Sequence, residues 1–267
     1  MNTTIEALDP NYPSPYPLFS MRPAATIFFT LALSACSSAS PDAQAIVDGA
    51  LEAAGASNID GSVITFDFRG KHFTVTHDGG RYRYERDYTD STGTVHEVLS
   101  NDQLYREING HSTQLSAEAD DIMEEDINSV VYFALLPYRL NDRAVQKRAL
   151  GTSVVHGQLY DMIEVTFRQD GGGKDYQDRF VYWFHHERCT MDFLAYYYHS
   201  GEMGSRFRQA IHPRTVGGIR FADYLNFDAD TLGLNDIEHY GSLFDAGALE
   251  TVSIVTLDHI KVQARKP

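Results

Sequence analysis

The sequence predicts a mainly β chain of the α+β class: a single curved antiparallel sheet or half-barrel with two or three helices packed on it. Three observations predict it. Apolar and polar residues alternate with period two over residues 64–85, and short turn-forming sequences separate successive strand-like runs across 63–115 and 153–227. Helical patterning is confined to short interruptions. No repeat of fixed period and no linker-like stretch divides residues 41–267, which read as one β-rich domain.

The first twenty residues are polar and carry Pro10, Pro13, Pro15 and Pro17. Met21-Arg22 then precedes the apolar run 24–33, which is too short to span a bilayer, since spanning takes about 20 apolar residues. A positive start, a short apolar run and small residues before a break are the pattern of an export signal, with Met21 as the expected true start. The break reads Leu33-Ser34-Ala35-Cys36, which resembles the lipobox of bacterial lipoproteins. That resemblance implies cleavage after residue 35, a diacylglycerol on Cys36 and a short lipidated tether over 36–40. An ordinary signal with Cys36 incidental is the plainer alternative. Serines at 37 and 38, by resemblance to lipoprotein sorting rules, imply the outer membrane, lipid-anchored and facing the periplasm.

Pro41, with Ser40 as cap, opens a predicted helix to about Ala54, with Ile46, Ala50, Leu51 and Ala54 on one face and Gly55 ending it. Residues 63–115 read as an antiparallel meander of five or six strands, with turns at Arg69-Gly70-Lys71, Asp78-Gly79-Gly80, Thr92-Gly93 and Asn101-Asp102; Asn109-Gly110 is the strongest hairpin signal. Ser116 caps a second predicted helix over 117–136, whose acidic first half, 118–126, reads as a solvated face, and Pro137 breaks it. Strands return over 153–156, 160–167, 179–185, 192–199, 205–211 and 219–227. An irregular acidic stretch, 228–247, precedes a last strand over 249–262.

The aromatic strands point to function. In 179–185 both parities are apolar: Phe180, Tyr182 and Phe184 on one face, Val181 and Trp183 on the other. A half-solvated antiparallel sheet alternates, so both faces of this one are covered. Helices on one face and a capping segment on the other account for that; so does a curved sheet whose concave face forms an apolar cavity. In the second case Phe66, Phe68, Tyr82, Tyr84, Tyr182, Phe184, Tyr196 and Tyr198 are the candidate ligand-lining residues, tyrosine offering an apolar body with a polar tip. Arg206, Arg208 and Arg220 are candidate anion-binding residues, with ion pairing to the abundant carboxylates as the plainer role.

Charge and motifs narrow the classes. Twenty-two basic against 37 acidic residues give a net charge of −15, which disfavours nucleic acid. Gly-x-Ser-x-Gly and His-Glu-x-x-His are both absent, and His185-His186 in a strand point to opposite faces. Asn226, Asp228 and Asp230 are spaced like the start of a calcium loop without its glycine and terminal glutamate, and read as a solvated loop. Gly171-Gly172-Gly173-Lys174 reads as a hairpin loop. His77-Asp78 and Asp192 with His199 are acid–base pairs only if the fold brings them together. With Cys36 lipidated, Cys189 has no disulfide partner and is expected to be a buried thiol.

The order of lipobox, helix, meander, helical interruption and second meander resembles the half-barrel lipoprotein carriers: LolA, LolB, LppX and RseB. The strings Tyr132-Phe133-Ala134-Leu135-Leu136-Pro137, Gly171-Gly172-Gly173-Lys174-Asp175, Tyr182-Trp183-Phe184, Leu194-Ala195-Tyr196, Arg206-Phe207-Arg208 and Gly217-Gly218-Ile219-Arg220-Phe221-Ala222-Asp223-Tyr224 resemble an uncharacterised family of Bacteroidetes-type predicted lipoproteins. These resemblances imply the compartment and the fold more than an activity; with the aromatic, two-faced strands and the missing motifs they lead to an expected outer-membrane lipoprotein that binds or carries an apolar ligand or lipid, without cofactor or metal, held to the membrane by its acyl anchor and with no protein partner specified. The alternatives are a structural or protein-interaction lipoprotein and, with less behind it, an enzyme acting on lipid or glycan.

Overall fold

The computed structural model describes residues 42–171, 176–199, 203–228, 233 and 235–265, all within one compact unit, Ala39–Pro267. The export signal, Cys36 and the tether lie outside the described residues, as do most of the 171–174 loop and Asp230.

Helix α1 (Ala43–Ala53) is capped by Asp42, whose side chain accepts from the Gln44 N–H, rather than by Ser40. Its buried face centres on Val47, Ala50 and Ala54, with Ile46 and Leu51 half-buried beside them. Gly55 ends it at φ 66°, and a Cβ there would lie 1.8 Å from the Gly218 carbonyl oxygen. Only glycine lets the helix end dock on that turn.

Six strands follow: β1 (Ser62–Phe68), β2 (Lys71–Asp78), β3 (Arg81–Asp90), β4 (Gly93–Ser100), β5 (Leu104–Ile108) and β6 (His111–Thr113). Asn109 and Gly110 close the last hairpin with φ 50° and 77°, the two positive values that a type I′ turn needs. Helix α2 (Ala117–Ala134) begins where Ser116 Oγ accepts from the Ala119 N–H at 3.2 Å. Then come β7 (Val145–Val155), β8 (Gln158–Phe167), β9 (Arg179–His185), β10 (Met191–Tyr198), β11 (Gly204–Val216) and β12 (Ile219–Asp228).

Every strand pairing within the sheets is antiparallel, and the hydrogen bonds form two open seven-stranded sheets, in the orders β14-β1-β2-β3-β4-β5-β6 and β13-β12-β11-β10-β9-β8-β7. The mainly β reading with three α-helices therefore stands. The expected last strand over 249–262 is two strands, β13 (Glu250–Val255) and β14 (Asp258–Ala264), one at the edge of each sheet. The chain turns this corner on Asp223: its Oδ1 accepts from the Leu257 N–H at 3.1 Å and from Arg214 at 2.8 Å, while Arg214 also donates to the Leu257 carbonyl at 2.6 Å.

Within the irregular 228–247 stretch, residues 235–247 contain α3 (Tyr240–Asp245) and cover the outer face of the second sheet. Ile237, Tyr240 and Phe244 pack on Val181, Trp183, Phe193 and Phe207. Polar ties hold this cover: Tyr240 to Ser205 at 2.8 Å, Glu238 to Arg179 at 2.7 Å, and Asp245 to the His156 N–H at 2.7 Å. On the inner face Phe180, Tyr182 and Phe184 meet α1 and the end of α2. Helices on one face and a capping segment on the other thus account for the two-faced aromatic strand.

Candidate functional site

Helix α2 serves both sheets. Met123, Ile127 and Val131 enter the core over β1–β4, while Tyr132 and Phe133 join the core over the second sheet. Along that line the two sheets do not close on each other. A cavity of about 320 Å³ remains between β1–β3, α2 and β11–β13. That lies at the low end of the roughly 300–1,000 Å³ typical of small-molecule sites. Its floor is apolar: Phe73, Ala222, Tyr224 and Leu257 are all buried. Val130, Phe133 and Val255 form walls, and Arg69 and Asp126 stand exposed at its rim.

The polar lining is lopsided. Arg69, Lys71, Arg86 and Arg208 face the cavity against one carboxylate, Asp126. Arg86 is already engaged, buried against Glu97 and 3.8 Å from Asp126. The other three make no ion pair among the described residues. Lys71 Nζ lies 4.3 Å over the Tyr88 ring, and burial, with the Arg86 charge adding to it, lowers its pKa. Arg208 stacks 4.0 Å over Phe133 and donates to Tyr196 Oη at 2.9 Å, but its buried Nε has no acceptor. Asn226, directly opposite Arg208 in the β11–β12 register, is 8% exposed; its Nδ2 donates to Ser253 Oγ at 2.9 Å and its buried Oδ1 has no donor. Burial also raises the Tyr224 hydroxyl to a pKa of about 12, so it is neutral.

With this geometry in place the comparisons can be read. A model of DUF6503, a family of unknown function, matches residues 25–256. The chain belongs to that family. This meets the expectation of an uncharacterised family drawn from the strings between Tyr132 and Tyr224. No curated protein is similar in sequence. Among solved structures, a DUF1329 family protein from Desulfovibrio piger is 12% identical with a TM-score of 0.47, over 82% of this chain and 92% of that one. A LolA superfamily protein from Nitrosomonas europaea gives 13%, 0.46 and the same coverage, and a putative outer membrane lipoprotein-sorting protein domain from Vibrio parahaemolyticus gives 8%, 0.41, 69% and 86%. Likenesses of this degree concern the path of the chain and not the contents of a cavity.

In this DUF6503 chain the residues singled out from sequence are dispersed. Phe68 and Arg208 line the cavity, and Tyr196 touches it through Arg208. Phe66 is stacked on Phe73 in the first core; Tyr82 and Tyr84 pack there beside His77 and Tyr138. Tyr182 and Phe184 are buried in the second core, Tyr182 bonded to Tyr132 at 3.0 Å, and Tyr198 lies beside Tyr196. Arg206 pairs with Asp228 at 2.8 Å and Arg220 with Asp192 at 3.4 Å, so the three arginines do not form one cluster. Lys71, read only as part of a turn, and Asn226, read both within the strand 219–227 and as the start of a solvated loop, are site residues that sequence reasoning missed. Asn226 and Asp228 lie in β12, not in a loop.

The remaining motifs separate. His185 is buried and bonds Gln158, whereas His186 is exposed and bonds Asp161. His77 hydrogen-bonds Tyr84, His199 lies by Asp178, and Asp192 meets Arg188 and Arg220, so neither acid–base pair forms. Cys189 is half-buried against Gly49 of α1, not fully buried, because it sits in a turn at φ 55°. Among the described residues no three His, Cys, Asp or Glu side chains converge as a metal site, and no helix is long and apolar enough to cross a membrane.

Proposed function

We propose that this protein is a non-enzymatic carrier or sensor of the bacterial envelope, lipid-anchored through Cys36 in the outer membrane and facing the periplasm, that holds an amphiphilic or apolar ligand between its two sheets. The observation that carries the reading is the cavity itself: an apolar floor walled by α2, lined by Arg69, Lys71, Arg86 and Arg208 against the one carboxylate of Asp126. A core that merely filled itself would close there, since interiors pack to near-crystalline density. The lipobox-like residues 33–36 and the preceding apolar run support the compartment.

The test uses the full chain carrying Cys36→Ser, so that no anchor chain competes for the cavity. Solvent extracts are examined by mass spectrometry, and a fluorescent fatty acid is titrated. A co-purifying amphiphile or saturable uptake is expected, and Val130→Trp, which fills the cavity from α2, should weaken uptake at least tenfold. A chain that yields no amphiphile and takes up no fatty acid overturns the reading and leaves a structural lipoprotein.

A further inference from the structure

Most arginines away from the cavity are ion-paired among the described residues. Arg214 meets Asp223 at 2.8 Å, Arg206 meets Asp228 at 2.8 Å, and Arg148 meets Glu164 at 2.6 Å. Such pairing is what an excess of carboxylates enforces in a chain of net charge −15. Yet Arg69, Lys71 and Arg208, three cations facing one cavity, make no ion pair among the described residues, and Asp126 at the rim is the one carboxylate in the lining. Concentrating like charges around low-dielectric walls is unfavourable without a counter-charge; burial, with the Arg86 charge adding to it and Glu97 and Asp126 opposing, lowers the Lys71 pKa.

Two orphaned polar atoms lie among them. Arg208 is held flat by Phe133 and Tyr196, so its Nε edge is fixed, buried and without an acceptor. Across the strand pair, Asn226 keeps an unpartnered amide oxygen in the same cavity lining. If the amide is turned over, the Ser253 hydroxyl donates to it and the NH₂ becomes the free edge instead, so one amide atom is unsatisfied either way. Buried polar groups are ordinarily satisfied, and unsatisfied ones converging in a cavity mark where a ligand's polar atoms go.

We infer that the cavity selects an amphiphile with one acyl chain and an anionic, oxygen-rich head, the head held by Arg208 and Asn226 and neutralised by Lys71 and Arg69. This rests on the ligand-binding reading above and specifies its ligand class. The chain lies over Phe73, Ala222 and Leu257. At about 30 Å³ per water-sized group, 320 Å³ accommodates roughly ten methylene-sized groups, enough for much of one chain and not for the two or three of a diacyl or triacyl lipid.

The experiment compares three probes on the full chain with Cys36→Ser: lysophosphatidylglycerol below its micelle concentration, a monoacylglycerol with the same chain, and inorganic phosphate. The expected result is a Kd for the anionic lipid at least tenfold below that of the neutral one, weakening as salt is raised, with phosphate binding far weaker than either. Arg208→Gln should raise the Kd for the anionic lipid about tenfold to a hundredfold and leave the neutral lipid nearly unchanged. Lys71→Gln, at the end of a turn and outside the core, carries the same test at a smaller effect should Arg208→Gln not fold. Equal affinity for the charged and neutral lipids overturns the head-group assignment and leaves the ligand-binding reading intact. Phosphate binding as tightly as the lipid overturns the amphiphile class in favour of a free-anion site. Binding of none of the three overturns both readings.

Discussion

His77 shows how one side chain records its surroundings. It is 6% exposed at the start of the β2–β3 turn, with Nε2 3.2 Å from Tyr84 Oη and its ring 5.0 Å from that of Tyr138. Burial, reinforced by the Arg139 charge and only partly offset by Asp60 and Asp142, lowers its pKa from 6.5 to about 4. The folded protein therefore binds this proton less readily than the unfolded chain does. The contribution is fully present above pH 6.5 and is lost as pH falls toward about 4, reaching about 3 kcal/mol at about 1.4 kcal/mol per pH unit. His77→Phe should flatten that part of the acid limb: between pH 7 and pH 4.5 the fall in unfolding free energy, measured by urea titration at each pH, should be smaller than in the wild type. The same residue shows where sequence reading stops. A pairing with Asp78 depended on the fold bringing the two together; it is instead a neutral core histidine, because strand alternation sends Asp78 outward to Arg265 at 3.0 Å. Phe68 and Arg208 were legible because strand parity puts them among the aromatics and arginines of one sheet face, although most of those residues pack in the cores or pair with carboxylates. Lys71 and Asn226 were not, since only the approach of β1–β3 to β11–β13 gives them a common cavity.

At the scale of elements, local chemistry located most boundaries and tertiary ties decided the exceptions. Ser116 and the Asn109-Gly110 turn act through neighbours in sequence, so they could be read directly. The division of 249–262 into β13 and β14 could not, because alternation continues through it and the break is imposed by Asp223, Arg214 and Leu257 from elsewhere. Burial pushes the Asp223 carboxyl up, but the Leu257 N–H, Arg214 and His212 outweigh it and hold it below the usual range. Removing the charge leaves Arg214 with its carboxylate partner gone at a corner shared by both sheets. Asp223→Asn should therefore cost about 2–3 kcal/mol in denaturant unfolding, by the magnitude of a lost charged hydrogen bond. The cover on the second sheet gives a companion prediction. Tyr240 is fully buried, stacked on Phe207 and bonded to Ser205. Tyr240→Ala should cost about 3–5 kcal/mol, as large aromatic truncations do, and expose Trp183 to an acrylamide quencher. An unchanged quenching constant would mean that α3 does not depend on this anchor.

For the whole molecule, an acidic domain with a cation-lined cavity would need a way to stay near a membrane-borne ligand of the proposed class, and the expected anchor would supply it. Proximity to a bilayer by charge is unavailable to a chain of net charge −15, which anionic head groups repel. A single acyl chain holds a protein only marginally, whereas two or three hold it stably, so the diacylglycerol expected on Cys36 would supply a residence that the surface does not. The tether over residues 36–40 would then keep the cavity within a short reach of the membrane. Three measurements follow from this. Palmitate labelling should mark the wild type and be lost in Cys36→Ser. That variant should move from the membrane fraction to the soluble periplasmic fraction. By resemblance to lipoprotein sorting, Ser37→Asp should keep the label and shift the protein from outer- to inner-membrane fractions on a density gradient. Labelling that survives Cys36→Ser would place the lipid elsewhere, and a wild type found soluble and unlabelled would return the first 35 residues to an ordinary export signal. In that last case the cavity lining, drawn from residues 68–257, is unchanged, and the proposed carrier would be a diffusible one.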